Sequence, residues 1–159
     1  SAGFNTIDLG QLSNGSKLWL SGLMLIGASP AGTGGGMKII AFALLALTAM
    51  SVFSRKDTTV FDRKLSLDTL RTGAAMCLIY LALFGMITLL VSRFMDPREN
   101  FIDILFECAS ACGSSGMSTG LTTRLSDGAK FTLIGGMLLG RLAPMAMLLC
   151  VAKRAEAQD

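Results

Sequence analysis

Apolar residues fall along this chain in blocks rather than in alternation, and the block lengths separate two kinds of element. The block at 17–27 (Leu18-Trp19-Leu20-Ser21-Gly22-Leu23-Met24-Leu25-Ile26 at its centre) predicts a helix too short for a bilayer core, which takes about 20 residues. It breaks at Ala28-Ser29-Pro30-Ala31-Gly32-Thr33-Gly34-Gly35-Gly36, and a second apolar run follows at 37–53. Together these predict one helix interrupted by a glycine-rich loop. At membrane depth such a loop is tolerated only where protein or a water-filled cavity satisfies its backbone. The run at 73–91 is long enough to span, and so is the run at 131–152. Between them a polar turn at 93–100, containing Pro97, leads into 101–113. That block is apolar but short and carries Asp103 and Glu107, which predicts a re-entrant helix.

The blocks also repeat. Sliding the chain by 113 places superimposes Gly3 on Gly116, Thr6 on Thr119, Lys17 on Lys130, Met24 on Met137 and Gly27 on Gly140, with 11 identities over 25 ungapped positions. Each copy is a glycine-centred loop followed by a helix opening on Ser-x-Gly-x-Lys, as in a pore assembled from similar units. A single loop of this kind would read as a helix cap and turn; two in register favour a pore. A cation leaving water exchanges its hydration shell for backbone carbonyls, which glycine lets the chain present at angles a Cβ forbids. The short helix 101–113 would point its negative carbonyl end at the loop 114–117.

Composition agrees with a lipid solvent. Hydrophobic residues make up 52% of the 159 and charged residues only 16%, against about 25% charged in soluble domains. The net charge of +3 is too small to indicate nucleic acid, and with no histidine a His-based metal site, triad or pH switch is excluded from this sequence. Basic residues gather at 55–71 and at Lys153-Arg154, which the positive-inside tendency places together in the cytoplasm, so that both glycine loops open outward. Cys108 and Cys112, four apart, read as small packing residues rather than ligands, because no second pair matches their spacing. Gly36-Met37-Lys38-Ile39 lacks the Gly-Lys-Ser/Thr ending of a phosphate-binding loop, and Lys38 reads as snorkelling or contacting carbonyls. Arg141, in the middle of an apolar helix, costs about 2.5–3.5 kcal/mol to insert and must face protein or water. It either caps carbonyls between packed helices or sits at the inner side of the filter against the loop 28–36, raising the barrier for a passing cation. Glu107 reads as a buried residue holding the filter through backbone amides, or as a source of field for the ion. No paired base or nucleophile marks an enzyme.

Gly3-Phe4-Asn5-Thr6, the stretch from Gly27 through Lys38, Phe106-Glu107-Cys108-Ala109-Ser110-Ala111-Cys112-Gly113-Ser114-Ser115-Gly116-Met117-Ser118-Thr119-Gly120, and Gly140-Arg141-Leu142-Ala143-Pro144 resemble the Trk/Ktr/HKT potassium transporters. The four motifs stand in the family's order, and the serine-proline form of the glycine-rich loop is closer to its KtrB branch. The resemblance implies an all-α membrane protein of repeated helix, pore helix, filter loop and helix units. Residues 1–54 would be the filter loop and broken second helix of repeat three, 55–72 a basic cytoplasmic connector, and 73–159 a complete repeat four. It further implies a multi-pass protein of the cell membrane that conducts K+ (or Na+) through filter carbonyls. The filter would be formed by Ala2, Gly3, Phe4 and Asn5 with Ser114, Ser115, Gly116 and Met117. The gate would be formed by Ser29, Gly32, Gly34, Gly35, Gly36 and Arg141. Where the family usually carries Thr-Val before the fourth glycine, this chain has Ser114-Ser115, a looser packing behind the filter. The implied partners are a missing N-terminal half of the pore subunit, a second copy in a homodimer, and a cytoplasmic nucleotide-binding ring of the KtrA or TrkA type docking near 55–71. No cofactor is implied for this chain itself. A non-conducting membrane scaffold and a sodium-permeable transporter of the same fold are the alternatives.

Overall fold

The structure, a computed structural model, describes residues 2–29, 34–54, 59–60, 63–64, 67–96 and 99–156. Among the described residues five α-helices carry the fold: α1 (Asn14–Ile26), α2 (Ile39–Ser54), α3 (Leu67–Arg93), α4 (Phe101–Cys112) and α5 (Asp127–Glu156). Short 3-10 turns at Leu9–Gln11 and Leu121–Arg124 precede α1 and α5. The connector holds a minimal antiparallel ladder, β1 (Thr59–Val60) with β2 (Arg63–Lys64). Part of the basic connector 55–72, including Arg55 and Lys56, lies outside the described residues, as does Pro97.

Helix starts follow local chemistry. Ser13 caps α1 by accepting from the Ser16 amide (3.3 Å), and Ser126 caps α5 by accepting from the Ala129 amide (3.4 Å). α1 and α4, of 13 and 12 residues, are about 18–20 Å long and cannot cross a hydrocarbon core of about 30 Å. Among the described residues one stretch, Arg71–Arg93, is long and apolar enough to do so. α3 itself begins at Leu67, six residues before the apolar run, and α5 at Asp127, four before its run. Hydropathy marks where a helix can meet lipid, whereas the helix itself starts further out, for α5 at the Ser126 cap.

α4 sits at the centre. From Phe106 through Gly113 every residue is buried, enclosed by α1 on one side and by α3 and α5 on the others. Its small residues Cys108, Ala109, Ser110, Ala111 and Cys112 let these neighbours approach closely, which is how helices associate where the hydrophobic effect gives no drive. The main core joins α4 to Cys77, Tyr80, Ile87 and Val91 of α3 and to Ala129 and Leu133 of α5. A smaller cluster of Leu9, Met24 and Phe106 joins α4 to α1. The outward face of α3 is apolar: Leu78, Ile79, Met86 and Leu89 are all exposed, a surface suited to lipid rather than water. Buried or half-buried hydroxyls on these helices bond back to their own turn, Ser21 to Lys17 O and Thr88 to Phe84 O.

Candidate functional site

The C-terminus of α4 turns by a two-bond closure. Ser115 N–H donates to Ser110 O (3.0 Å) and Ser114 N–H to Ala111 O (3.2 Å), with Ser114 itself left-handed at φ +52°. The following loop therefore leaves from the negative end of the α4 dipole. Within it Gly116 has φ +79°, and its counterpart Gly3 has φ +74°, backbone that an L side chain enters at a cost of about 1–2 kcal/mol. A Cβ on Gly3 would stand 2.6 Å from the Ser115 carbonyl oxygen and 3.8 Å from the Gly116 carbonyl carbon. The two glycine loops thus meet backbone to backbone. They meet again at Gly10, whose Cβ would lie 3.1 Å from Thr119 O.

Glu107, on the enclosed part of α4, fastens the chain beyond Gly116. Its Oε1 accepts from Ser118 Oγ (2.5 Å), Thr119 N (3.0 Å) and Thr119 Oγ1 (3.3 Å), and its Oε2 from Thr122 Oγ1 (3.0 Å). The N-terminal end of α4 is fastened by Lys17 of α1. The Lys17 ammonium pairs with Asp103 (2.7 Å) and donates to Gly10 O (3.0 Å), and both charged side chains are largely buried.

The glycine-rich break between α1 and α2 has a closed neck. Ala28 N–H donates to Gly35 O (3.4 Å), Met37 N–H to Leu25 O (3.0 Å) and Ile39 N–H to Ala28 O (3.3 Å). Gly27 (φ +74°) and Gly36 (φ +93°) pass so closely that neither has room for a Cβ. The Lys38 ammonium donates to Gly34 O (2.7 Å). This neck rests on the C-terminal end of α4: a Cβ on Gly35 would be 2.7 Å from Ser114 Oγ and 3.0 Å from Gly113 O. Gly140 of α5 packs on the Cys112 carbonyl at the same end.

The residues singled out from the sequence are distributed as follows. Gly3 is brought to Ser115 and Gly116, and Gly35 to Gly113 and Ser114. Ala2, Phe4 and Asn5 are exposed, as are Ser114 and Gly116; Met117 packs partly on the Leu9, Met24 and Phe106 cluster. Ser115 is buried, and its hydroxyl has no hydrogen-bond partner among the described residues. Ser29 is exposed, Gly34 half-buried, Gly35 and Gly36 buried, and Gly32 lies outside the described residues. Arg141 follows Gly140 but faces outward, lining an open groove with Ile134, Met137, Leu138 and Leu142. Among the described residues nothing joins it to the glycine-rich loop. Cys77, Cys108 and Cys112 are free and buried, and no metal-holding cluster exists among the described residues. Reading the sequence missed the Lys17–Asp103 pair and the hydroxyl partners of Glu107; the Ser-x-Gly-x-Lys pattern, shared by both copies, was the available signal for the first.

Comparison with known proteins gives a consistent picture. The profile of the TrkH family, described as cation transport protein, matches residues 1–158. The chain is 33% identical over 157 residues to Ktr system potassium uptake protein D of Bacillus subtilis, covering 97% of this chain and 34% of that protein. It is 30% identical over 154 residues to Ktr system potassium uptake protein B of Vibrio alginolyticus, covering 96% and 33%. It is 29% identical over 163 residues to potassium/sodium uptake protein NtpJ of Enterococcus hirae, covering 99% and 36%. The chain spans about a third of the length of these relatives.

Proposed function

The chain belongs to the TrkH family of cation transport proteins, and from that membership we propose that it is the C-terminal part of a membrane pore subunit for potassium uptake. Each glycine loop contributes one wall of a selectivity filter. Carbonyls of Ala2, Gly3, Phe4 and Asn5 stand beside those of Ser114, Ser115, Gly116 and Met117 as neighbouring walls of the ion path and take the place of water around a dehydrated cation. α4 is the pore helix of the second loop, and its carbonyl end adds a favourable field of about half a negative charge. α1 and α2 are one broken helix, and the loop between them, with Ser29, Gly32, Gly34, Gly35 and Gly36, is the gate on the inner side of the filter. Arg141 adds a positive barrier at the same depth.

The observation that carries this reading is the meeting of Gly3 with Ser115 and Gly116. Two residues 113 positions apart, equivalent in the repeat and both in left-handed backbone, have adjacent main chains. The gate reading is supported by the contact of Gly35 with the α4 end and by Gly140, next to Arg141, packing on that end. The full subunit works as a homodimer with a cytoplasmic nucleotide-binding ring.

The test is rescue of a potassium-uptake-deficient bacterium by the full-length polypeptide at limiting potassium, with sodium varied. Growth without dependence on sodium supports a potassium pore, and failure of a well-expressed protein to restore growth refutes it. Arg141→Ala is expected to raise flux in the closed state; unchanged flux would remove Arg141 from the gate. A sodium-permeable pore is the second reading, favoured by the unpartnered Ser115 hydroxyl beside the filter. It predicts sodium influx comparable to potassium influx in the same cells.

A further inference from the structure

Lys38 stands where a glycine would be easier. It closes the glycine-rich break with φ +68°, left-handed backbone that glycine enters freely and a lysine only at a cost. It is also the residue before α2, and its carbonyl accepts from the Ala41 (3.0 Å) and Phe42 (3.3 Å) amides. A cation there faces the positive end of a 16-residue helix, which disfavours it. Both penalties would vanish with glycine, which already fills positions 34–36. What glycine lacks is the ammonium, and that group turns back into the break to donate to Gly34 O at 2.7 Å. Strained backbone that a fold retains points to a role for the residue that bears it.

The Gly34 carbonyl is one residue from Gly35, which lies against Gly113 O and Ser114 Oγ at the α4 end. Ser114, at φ +52°, is the other non-glycine in left-handed backbone among the described residues. The two strained residues therefore flank one contact, the seam between the neck and the loop at 114–117. One copy of the repeat alone carries this neck. α1 stops at Ile26, whereas α5 continues as helix through Gly140, the equivalent of Gly27, to Glu156.

We infer that the Gly34 carbonyl belongs to a monovalent-cation site in the neck, filled by the Lys38 ammonium when the neck is closed and by an ion of potassium's size when it opens. A peptide carbonyl takes a cation without itself carrying net charge, and the lysine ammonium is a compact point charge, unlike a guanidinium. Ammonium and potassium are close in size, so the oxygen that accepts one also suits the other. Their like charges exclude joint occupancy. A free ion must displace the tethered one, which makes the ammonium a competitor at the foot of the ion path, a role that rests on the gate reading above.

The test uses the full-length polypeptide. Lys38→Met keeps the stem without the charge, and Lys38→Gly removes charge and backbone strain together. Closed-state rubidium leak is measured in cells. The melting temperature of the detergent-purified protein is titrated with potassium chloride against choline chloride at constant ionic strength. Both variants are expected to leak about tenfold more than the parent, the factor that one charge-assisted hydrogen bond supplies. Both are also expected to show a saturable rise in melting temperature with potassium, beyond the parent's. Leak confined to one variant would trace the effect to the backbone and overturn the inference. Leak without the added potassium-dependent rise would overturn it too, leaving the ammonium as a latch and no more. Parental leak and no added rise in both, with Gly35→Ala leaking, would sink the cation site while the gate reading stands. An added rise with no leak in any variant, Gly35→Ala included, would sustain the site and sink the gate reading.

Discussion

Glu107 offers the sharpest test of how the second glycine loop is held. Its carboxylate, 5% exposed, accepts four hydrogen bonds from Ser118, Thr119 and Thr122. Hydrogen bonds to a charged group contribute about 1.5–3 kcal/mol each, against about 0.5–1.5 for neutral pairs. Glu107→Gln keeps the shape and one acceptor oxygen, so three bonds fall to neutral strength, and the Thr122 hydroxyl must turn to accept from the new amide. A loss of about 1 kcal/mol per bond gives about 3 kcal/mol in all. Glu107→Asp keeps the charge but withdraws it by about 1.5 Å, one carbon–carbon bond, which takes the 3.0 and 3.3 Å contacts beyond bonding range. Asp is therefore expected to be no better than Gln.

The assay is thermal unfolding of the full-length protein in detergent, paired with rubidium and sodium uptake. Because 118–122 follows Gly116 directly, loosening it is expected to relax ion preference as well as stability. A Gln variant within about 0.5 kcal/mol of the parent, the level of an ordinary surface substitution, would refute the reasoning. So would full recovery by Asp, which would mean that the charge acts at a distance and the bonds do not matter.

Two further outcomes follow from the same geometry. Lys17→Met and Asp103→Leu each strand a buried partner and are expected to cost about 3–5 kcal/mol singly, whereas the two together recover most of the loss; a double-mutant cycle on detergent stability checks this, and additive losses would contradict it. Gly35→Ala drives a methyl against Gly113 O and Ser114 Oγ and is expected to raise closed-state leak. Gly22→Ala, which meets nothing within 4 Å, is expected to be neutral or to gain up to about 1 kcal/mol of helix propensity. Equal leak in the two variants would remove the α4 contact from the gate.

What the sequence makes legible here follows from what hydropathy and glycine spacing can encode. The block lengths locate α1 and α4 as short helices and α3 as a crossing one, because lipid imposes a length on apolar runs. The register of 113 anticipates that Gly3 and Gly116 share a backbone conformation, since left-handed φ selects glycine in both copies. Lys17 and Asp103 lie 86 residues apart on different helices, and no local pattern reports which helix faces which. The hydroxyl partners of Glu107 were hidden for a related reason: Ser118, Thr119 and Thr122 look like ordinary loop residues until the chain folds back over α4. Arg141 was legible as an expensive cation but not by its direction, because its helix repeats apolar residues on nearly every side.

The glycines explain why the C-terminal end of α4 can be both a scaffold and a point of control. Met24 O approaches Gly113, Gly35 approaches Gly113 and Ser114, and Gly140 approaches the Cys112 carbonyl. Three separate segments thus reach one helix terminus with main chain rather than side chain. Side chains would separate these backbones by several ångströms and fill the space with methyl groups. Bare backbone leaves peptide dipoles there, in surroundings where each is worth more than in water. It also leaves little slack, since close-packed main chains have no rotamers through which to absorb a displacement. A movement of the Gly35 neck is therefore passed to Gly113 and Ser114, and from there, through the two bonds that close α4, to Ser115 and the meeting point with Gly3. On the proposed reading, with the neck as gate and the glycine loops as filter, the two form one mechanical unit, and substitutions at the neck should alter ion preference along with leak.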